Sequence, residues 1–136
     1  MDARERFQKI VVPNYNEFVG NPNDFRLLDN LITSMNPMAE YLGLHRLDYP
    51  PDVSRNERRR EAQGIRDDNC LKDVQTCADV IKHVRIELKR DGVTSTLSST
   101  GIDTANPKTW KVGGLDFVEV AHNSFKALEW EFQKLA

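Results

Sequence analysis

Between residues 71 and 89 apolar side chains recur in steps of three and four: Leu71, Val74, Cys77 with Ala78, Ile81, Val84 and Leu88. That spacing places them on one face of a helix with a period of 3.6. Lys72, Gln75, Thr76, Asp79, Lys82, Glu87 and Lys89 fall on the opposite, water-facing side. Asp67 or Asp68 with Asn69 supplies the capping oxygen and negative charge that suit a helix start. Lys89 and Arg90 complement the other end, and Asp91-Gly92 is a stop signal. Start, face and stop agree, so this helix is the element around which the chain is read.

The same periodicity predicts three more helices. A first runs from Asp2 to Val19, with Phe7, Ile10, Val11, Tyr15, Phe18 and Val19 on or near one face. Pro13 has no N–H to donate, so a kink or a break is expected there. Gly20-Asn21-Pro22-Asn23 is a turn, and Asn23-Asp24 caps the next helix. That second helix, 24 to 43, carries Leu28, Leu31, Ile32, Met35, Met38, Ala39 and Leu42, with a bend expected near Asn36 because Pro37 interrupts it. The short turn predicts an antiparallel pair.

Residues 45–67 differ in kind: Pro50-Pro51 and the run RNERRREAQGIR leave few apolar anchors. They read as a long charged connection with room for one short helix in its charged part. After Gly92, Val93 to Ser98 alternate as an exposed strand does, 101–108 are turn-rich, and Trp110-Lys111-Val112 is a returning strand closed by Gly113-Gly114. The last helix, Leu115 or Asp116 to Leu135, aligns Phe117, Val120, Ala121, Phe125, Leu128, Phe132 and Leu135. The expectation is a mainly α protein: one domain over 1–136, a four-helix bundle with a small β-hairpin, about 93–113, between the third and fourth helices.

Composition narrows the function classes. At 136 residues the chain is long enough for a real core, and a formal net charge of −2 makes the whole molecule a poor polyanion binder, so any nucleic-acid contact has to be local. No apolar run approaches a membrane span, and the charged start MDARERFQKI has no signal-peptide core behind it, which predicts a cytoplasmic protein. Cys70 and Cys77 lie two helical turns apart, roughly 10.5 Å at about 1.5 Å per residue, beyond the roughly 7 Å that a disulfide spans. With no third cysteine they read as free thiols, which favours a reducing compartment.

Candidate chemistry is sparse. Histidine is a common acid–base side chain and His83 sits on the strongest helix, so it is a candidate acid–base or RNA-contacting group, with Lys82 and Arg85 beside it. Asp79, four residues earlier, is placed for an orienting hydrogen bond. The bland alternative is a histidine hydrogen-bonded at the core edge. Arg55, Arg58, Arg59, Arg60 and Arg66 are candidates to dock phosphates, but the interleaved Glu57, Glu61, Asp67 and Asp68 and the lack of aromatics favour a solvated connection. Cys70, Cys77, His45, His83 and His122 match no usual zinc spacing, so neither metal nor cofactor is expected. Thr94 to Thr100 has hydroxyls without a base, Gly113-Gly114 is too short for a phosphate loop, and Trp110 and Trp130 read as packing.

The GNPND turn, the D-x8-KH spacing from Asp73 to Lys82-His83, and the closing VEVAHNSFKALEWEF resemble small bacterial helical domains of the HEPN group. That resemblance implies a four-helix bundle, often dimeric, linked to RNA cleavage or to defence and toxin systems. The group's catalytic signature is an arginine and, after four to six intervening residues, a histidine. His83 matches the histidine, Thr76, Cys77 and Ala78 stand where the arginine is expected, and Arg85 follows instead of preceding. The resemblance therefore implies a non-catalytic member. The leading expectation is a domain acting through self-association or a protein partner. The alternatives are a ribonuclease using His83 and a nucleic-acid or small-ligand module using the arginines.

Overall fold

The computed structural model describes residues 2–46, 54–68, 71–91, 102–105 and 109–134. Its elements are α1 (Ala3–Arg6), a π-helical turn (Phe7–Val11), α2 (Val12–Gly20), α3 (Phe25–Met35), α4 (Met38–Arg46), α5 (Arg55–Asp68), α6 (Leu71–Asp91), β1 (Ile102–Ala105), β2 (Thr109–Val112), β3 (Leu115–Asp116) and α7 (Phe117–Lys134). The protein is mainly helical with a small antiparallel sheet.

Local chemistry sets the helix starts. Asp2 Oδ1 accepts from the Glu5 N–H at 2.8 Å, and Asp24 Oδ1 from the Arg26 N–H at 2.9 Å. Pro13 does not break the first helical run. The chain enters it through the wider π turn, in which the Val12 N–H reaches back to the Phe7 carbonyl, leaving Pro13 in the first turn of α2 where its missing donor costs little. At Pro37 the outcome is the reverse. The single bent helix expected over 24–43 is two helices, because the proline withholds the bond that would continue α3 and its carbonyl instead accepts from Glu40 and Tyr41 to start α4.

The stretch 45–67, read as a connection, is largely helix: α4 runs to Arg46 and α5 occupies Arg55–Asp68. Ser54 Oγ accepts from the Glu57 N–H at 3.1 Å, the first half of a Ser-x-x-Glu capping pattern that marks the start of α5. Gly43 lets α4 and α5 come close. A Cβ there would meet Glu61 Cγ at 3.3 Å and the Ala62 backbone nitrogen at 3.5 Å.

The hairpin also needs correcting. Its first strand is Ile102–Ala105, inside the segment read as turn, while 93–98 lie outside the described residues. β1 pairs with β2 and β2 with β3, making three antiparallel strands. The register runs Ile102 opposite Val112 and Thr104 opposite Trp110, then Val112 opposite Leu115. Gly113 and Gly114 form the two-residue turn between β2 and β3, at φ 59° and 80°. Two positive φ values in succession are what a type I′ hairpin turn requires and what glycine adopts without strain. Leu115 and Asp116 are therefore strand, not helix. Asp116 Oδ1 then accepts from the Val118 N–H at 3.0 Å at the start of α7.

One continuous core joins these elements. Leu71, Val74, Cys77 and Ile81 of α6 are buried as the periodicity predicts, as are Phe117, Val120, Ala121, Phe125, Leu128 and Phe132 of α7. An aromatic ladder binds the N-terminal helices to α7. Phe7 stacks on Phe132 and Phe125 with ring centroids 4.8 and 5.4 Å apart, Tyr15 lies parallel to Phe125 at 3.9 Å, and Phe18 meets Phe117 edge-on at 5.1 Å. Trp110 ties the sheet to the α2–α3 turn by donating Nε1–H to the Asn23 carbonyl at 3.0 Å.

Candidate functional site

Asp79, Lys82 and His83 are all exposed on α6. The orienting bond expected from Asp79 to His83 is not among the hydrogen bonds of the described residues, and the side chain of Arg85 lies outside them. Of these three, Lys82 lines a recess. That recess, of about 400 Å³, lies between α3, the start of α4, the end of α5 and the middle of α6. Ile32, Pro37, Ala78 and Ile81 give it an apolar wall, and Thr33, Asn36, Glu40, Arg66 and Lys82 supply its polar groups.

Arg66 is the unusual member. It keeps only 9% of its exposure, and its one direct bond among the described residues is a long one, Nη2 to the Asn36 carbonyl at 3.4 Å. Its Nε–H is buried without a partner, and so is Oδ1 of Asn36 in the same recess. A buried guanidinium is normally matched by a carboxylate, because removing it from water unpaired is costly. Arg66 is buried because it follows Ala62 and Ile65 on the face of α5 that packs inward. The structure thus brings together Lys82 and Arg66, from two separate groups of sequence candidates. Asn36 gave no comparable signal in the sequence beyond its place before Pro37.

The other arginines are placed differently. Arg55, Arg58 and Arg59 line a depression of about 210 Å³ with Glu40 and Leu44, and Arg60 is exposed on the same helix outside it. Glu40 stands between the two recesses and borders both.

A further recess, of about 270 Å³, is apolar. Tyr15, Phe18, Val19 and Pro22 line it from α2 and the following turn, and Val118, Ala121 and His122 from α7. Val19 is 55% and Val118 38% exposed, although the periodicity had placed Val19 on the buried side of the first helix. The polar atoms here are matched: the Tyr15 hydroxyl and His122 Nδ1 lie 3.3 Å apart.

Cys77 is fully buried, with its thiol 3.9 Å from the Val112 carbonyl. Burial, and secondarily the charge of Asp73, pushes its pKa up to about 12, so it stays a neutral thiol at ordinary pH and is no nucleophile. Cys70, the side chain of His45 and the segment 94–100 lie outside the described residues. Among the described residues no three His, Cys, Asp or Glu side chains gather as metal ligands, and no helix is long and apolar enough to cross a membrane. Trp130, read as packing, is instead 58% exposed, with the Lys134 ammonium 5.5 Å from its ring centre. Compared with protein-family models, curated proteins and solved structures, the chain matches none of them.

Proposed function

We propose that this protein is a non-catalytic helical domain that acts by pairing with a second copy of itself through the α2–α7 groove. One observation carries the reading: two exposed valines, Val19 and Val118, border the same apolar recess. A two-fold interface needs one patch that offers both projections and a hollow to receive them. Val19 and Val118 provide the projections, and Tyr15, Phe18 and Ala121 line the hollow. Exposed apolar surface of this kind is relieved by a partner that removes it from water. The HEPN-like relationship and a cytoplasmic location belong to the same proposal, with the chain as a member lacking the catalytic arginine.

Sedimentation equilibrium on the full chain tests this. The expected result is a dimer that becomes a monomer in Val19→Glu and Val118→Glu, with the helix content seen by circular dichroism retained in both. A monomeric wild type overturns self-association and transfers the groove to a different protein partner.

A second reading, an RNA-directed enzyme or binding module centred on His83, is favoured by the exposure of His83 beside Lys82. Its test is cleavage of RNA by the wild type and by His83→Ala, with and without chelator. Loss of cleavage in a folded His83→Ala protein supports the enzyme, and absence of cleavage by both leaves the association role.

A further inference from the structure

The recess between α3, α4, α5 and α6 carries chemistry that neither association nor the His83 reading uses. Arg66 is nine-tenths buried there with an unpartnered Nε–H, and Asn36 Oδ1 is a buried acceptor without a donor. The unsatisfied Arg66 donor carries a desolvation cost that an anionic, hydrogen-bond-accepting ligand removes. Lys82 adds a second cation from α6.

The geometry points to a binding site for a phosphate monoester, with the phosphoryl oxygens held by the Arg66 guanidinium and the Lys82 ammonium. Charge favours phosphate over carboxylate. A monoester carries roughly −1.5 to −2 near neutrality, matching two cations where a carboxylate matches one. A guanidinium fork also suits the several oxygens of a phosphoryl group. Glu40, the single acid lining the recess among the described residues, also lines the neighbouring depression with Arg55, Arg58 and Arg59.

Size favours an ester over the free ion. At about 400 Å³ the recess lies in the range of small-molecule sites. Ile32, Pro37, Ala78 and Ile81 form a wall that inorganic phosphate would leave in water, whereas an organic group on the phosphate would cover it. The phosphate site is independent of the dimer proposed for the α2–α7 groove.

Calorimetric titration of the full chain with phenyl phosphate, beside inorganic phosphate, benzoate and phenol, tests it. Phenyl phosphate is expected to saturate one site and to bind more tightly than the other three. Arg66→Met is expected to weaken it by about tenfold to a hundredfold, as loss of charge-assisted hydrogen bonds does, without lowering the melting temperature. Lys82→Gln, at an exposed position, is expected to weaken binding and flatten its salt dependence, which keeps the test valid if Arg66→Met fails to fold. Glu40→Gln is expected to tighten it. The proposal is overturned if phenyl phosphate shows no saturable binding, or if Lys82→Gln leaves its affinity unchanged. It is likewise overturned if benzoate or inorganic phosphate binds as tightly.

Discussion

The α2–α7 groove and the α3–α6 cleft are recesses between helices of one core, and they leave opposite things undone. In the groove the polar atoms are matched, Tyr15 with His122, while Val19 and Val118 stand in water. In the cleft Ile32 and Ile81 are buried, while Arg66 and Asn36 hold polar atoms out of water without partners. Apolar exposure is undone by any surface of complementary shape, at about 25 cal/mol per Å² removed from water. A desolvated charge is undone only by a group of the right charge and geometry. The groove is thus suited to a protein surface and the cleft to a small polar ligand.

The largest expected effect breaks the floor of the groove. Phe18 is fully buried against Phe117, so Phe18→Ala should lower the unfolding free energy by about 3–5 kcal/mol. Urea denaturation of the variant measures it. A loss below about 1 kcal/mol would mean that the groove floor is not part of the core.

Next comes the dry side of the helix that lines the cleft. Cys77 ionises in the unfolded chain near its ordinary value of 9.0 and in the folded chain only at about 12. Between these values the folded state holds a proton that the unfolded state has lost, so stability falls as pH rises, by up to about 1.4 kcal/mol per unit. The contribution is complete below pH 9. Cys77→Val should remove this part of the slope between pH 9 and 11, and identical slopes in the two proteins would place the thiol in contact with water.

A smaller effect concerns how α5 is held. Its apolar anchors are few, Ala62 and Ile65, so its cap matters. Ser54→Ala should cost about 1 kcal/mol, read as faster amide exchange concentrated in α5. The smallest effect separates the two recesses most sharply. Arg66→Met should leave stability unchanged or raise it by about 1 kcal/mol, since an apolar side chain replaces a buried, unpaired charge. A loss of about 2 kcal/mol or more would identify Arg66 as structural, unlike anything expected of a binding group.

The helices with a clean apolar period were legible in the sequence. α6 as far as Ile81 and α7 as far as Phe132 bury the residues their spacing predicts, Val84, Leu88 and Leu135 having side chains outside the described residues, and Asp24 caps α3 as its position suggests. Helix α5 was harder to read because amphipathic periodicity is weak in a segment with two apolar anchors. The Ser54-Arg55-Asn56-Glu57 pattern was its one local sign. The hairpin strand was misplaced because four residues paired across a sheet carry too little pattern of their own, and their partners in β2 decide the register.

What the sequence determined by itself are the properties a single segment expresses: the period of a helix, the oxygen that caps it, the glycines that turn the chain at 113–114. Tertiary structure alone decided where burial departs from that period. Val19 is left in water and Arg66 taken out of it because burial depends on what packs alongside, at sites such as the close approach of Gly43 to Ala62. Those contacts join residues far apart in the chain, and both recesses are built from them.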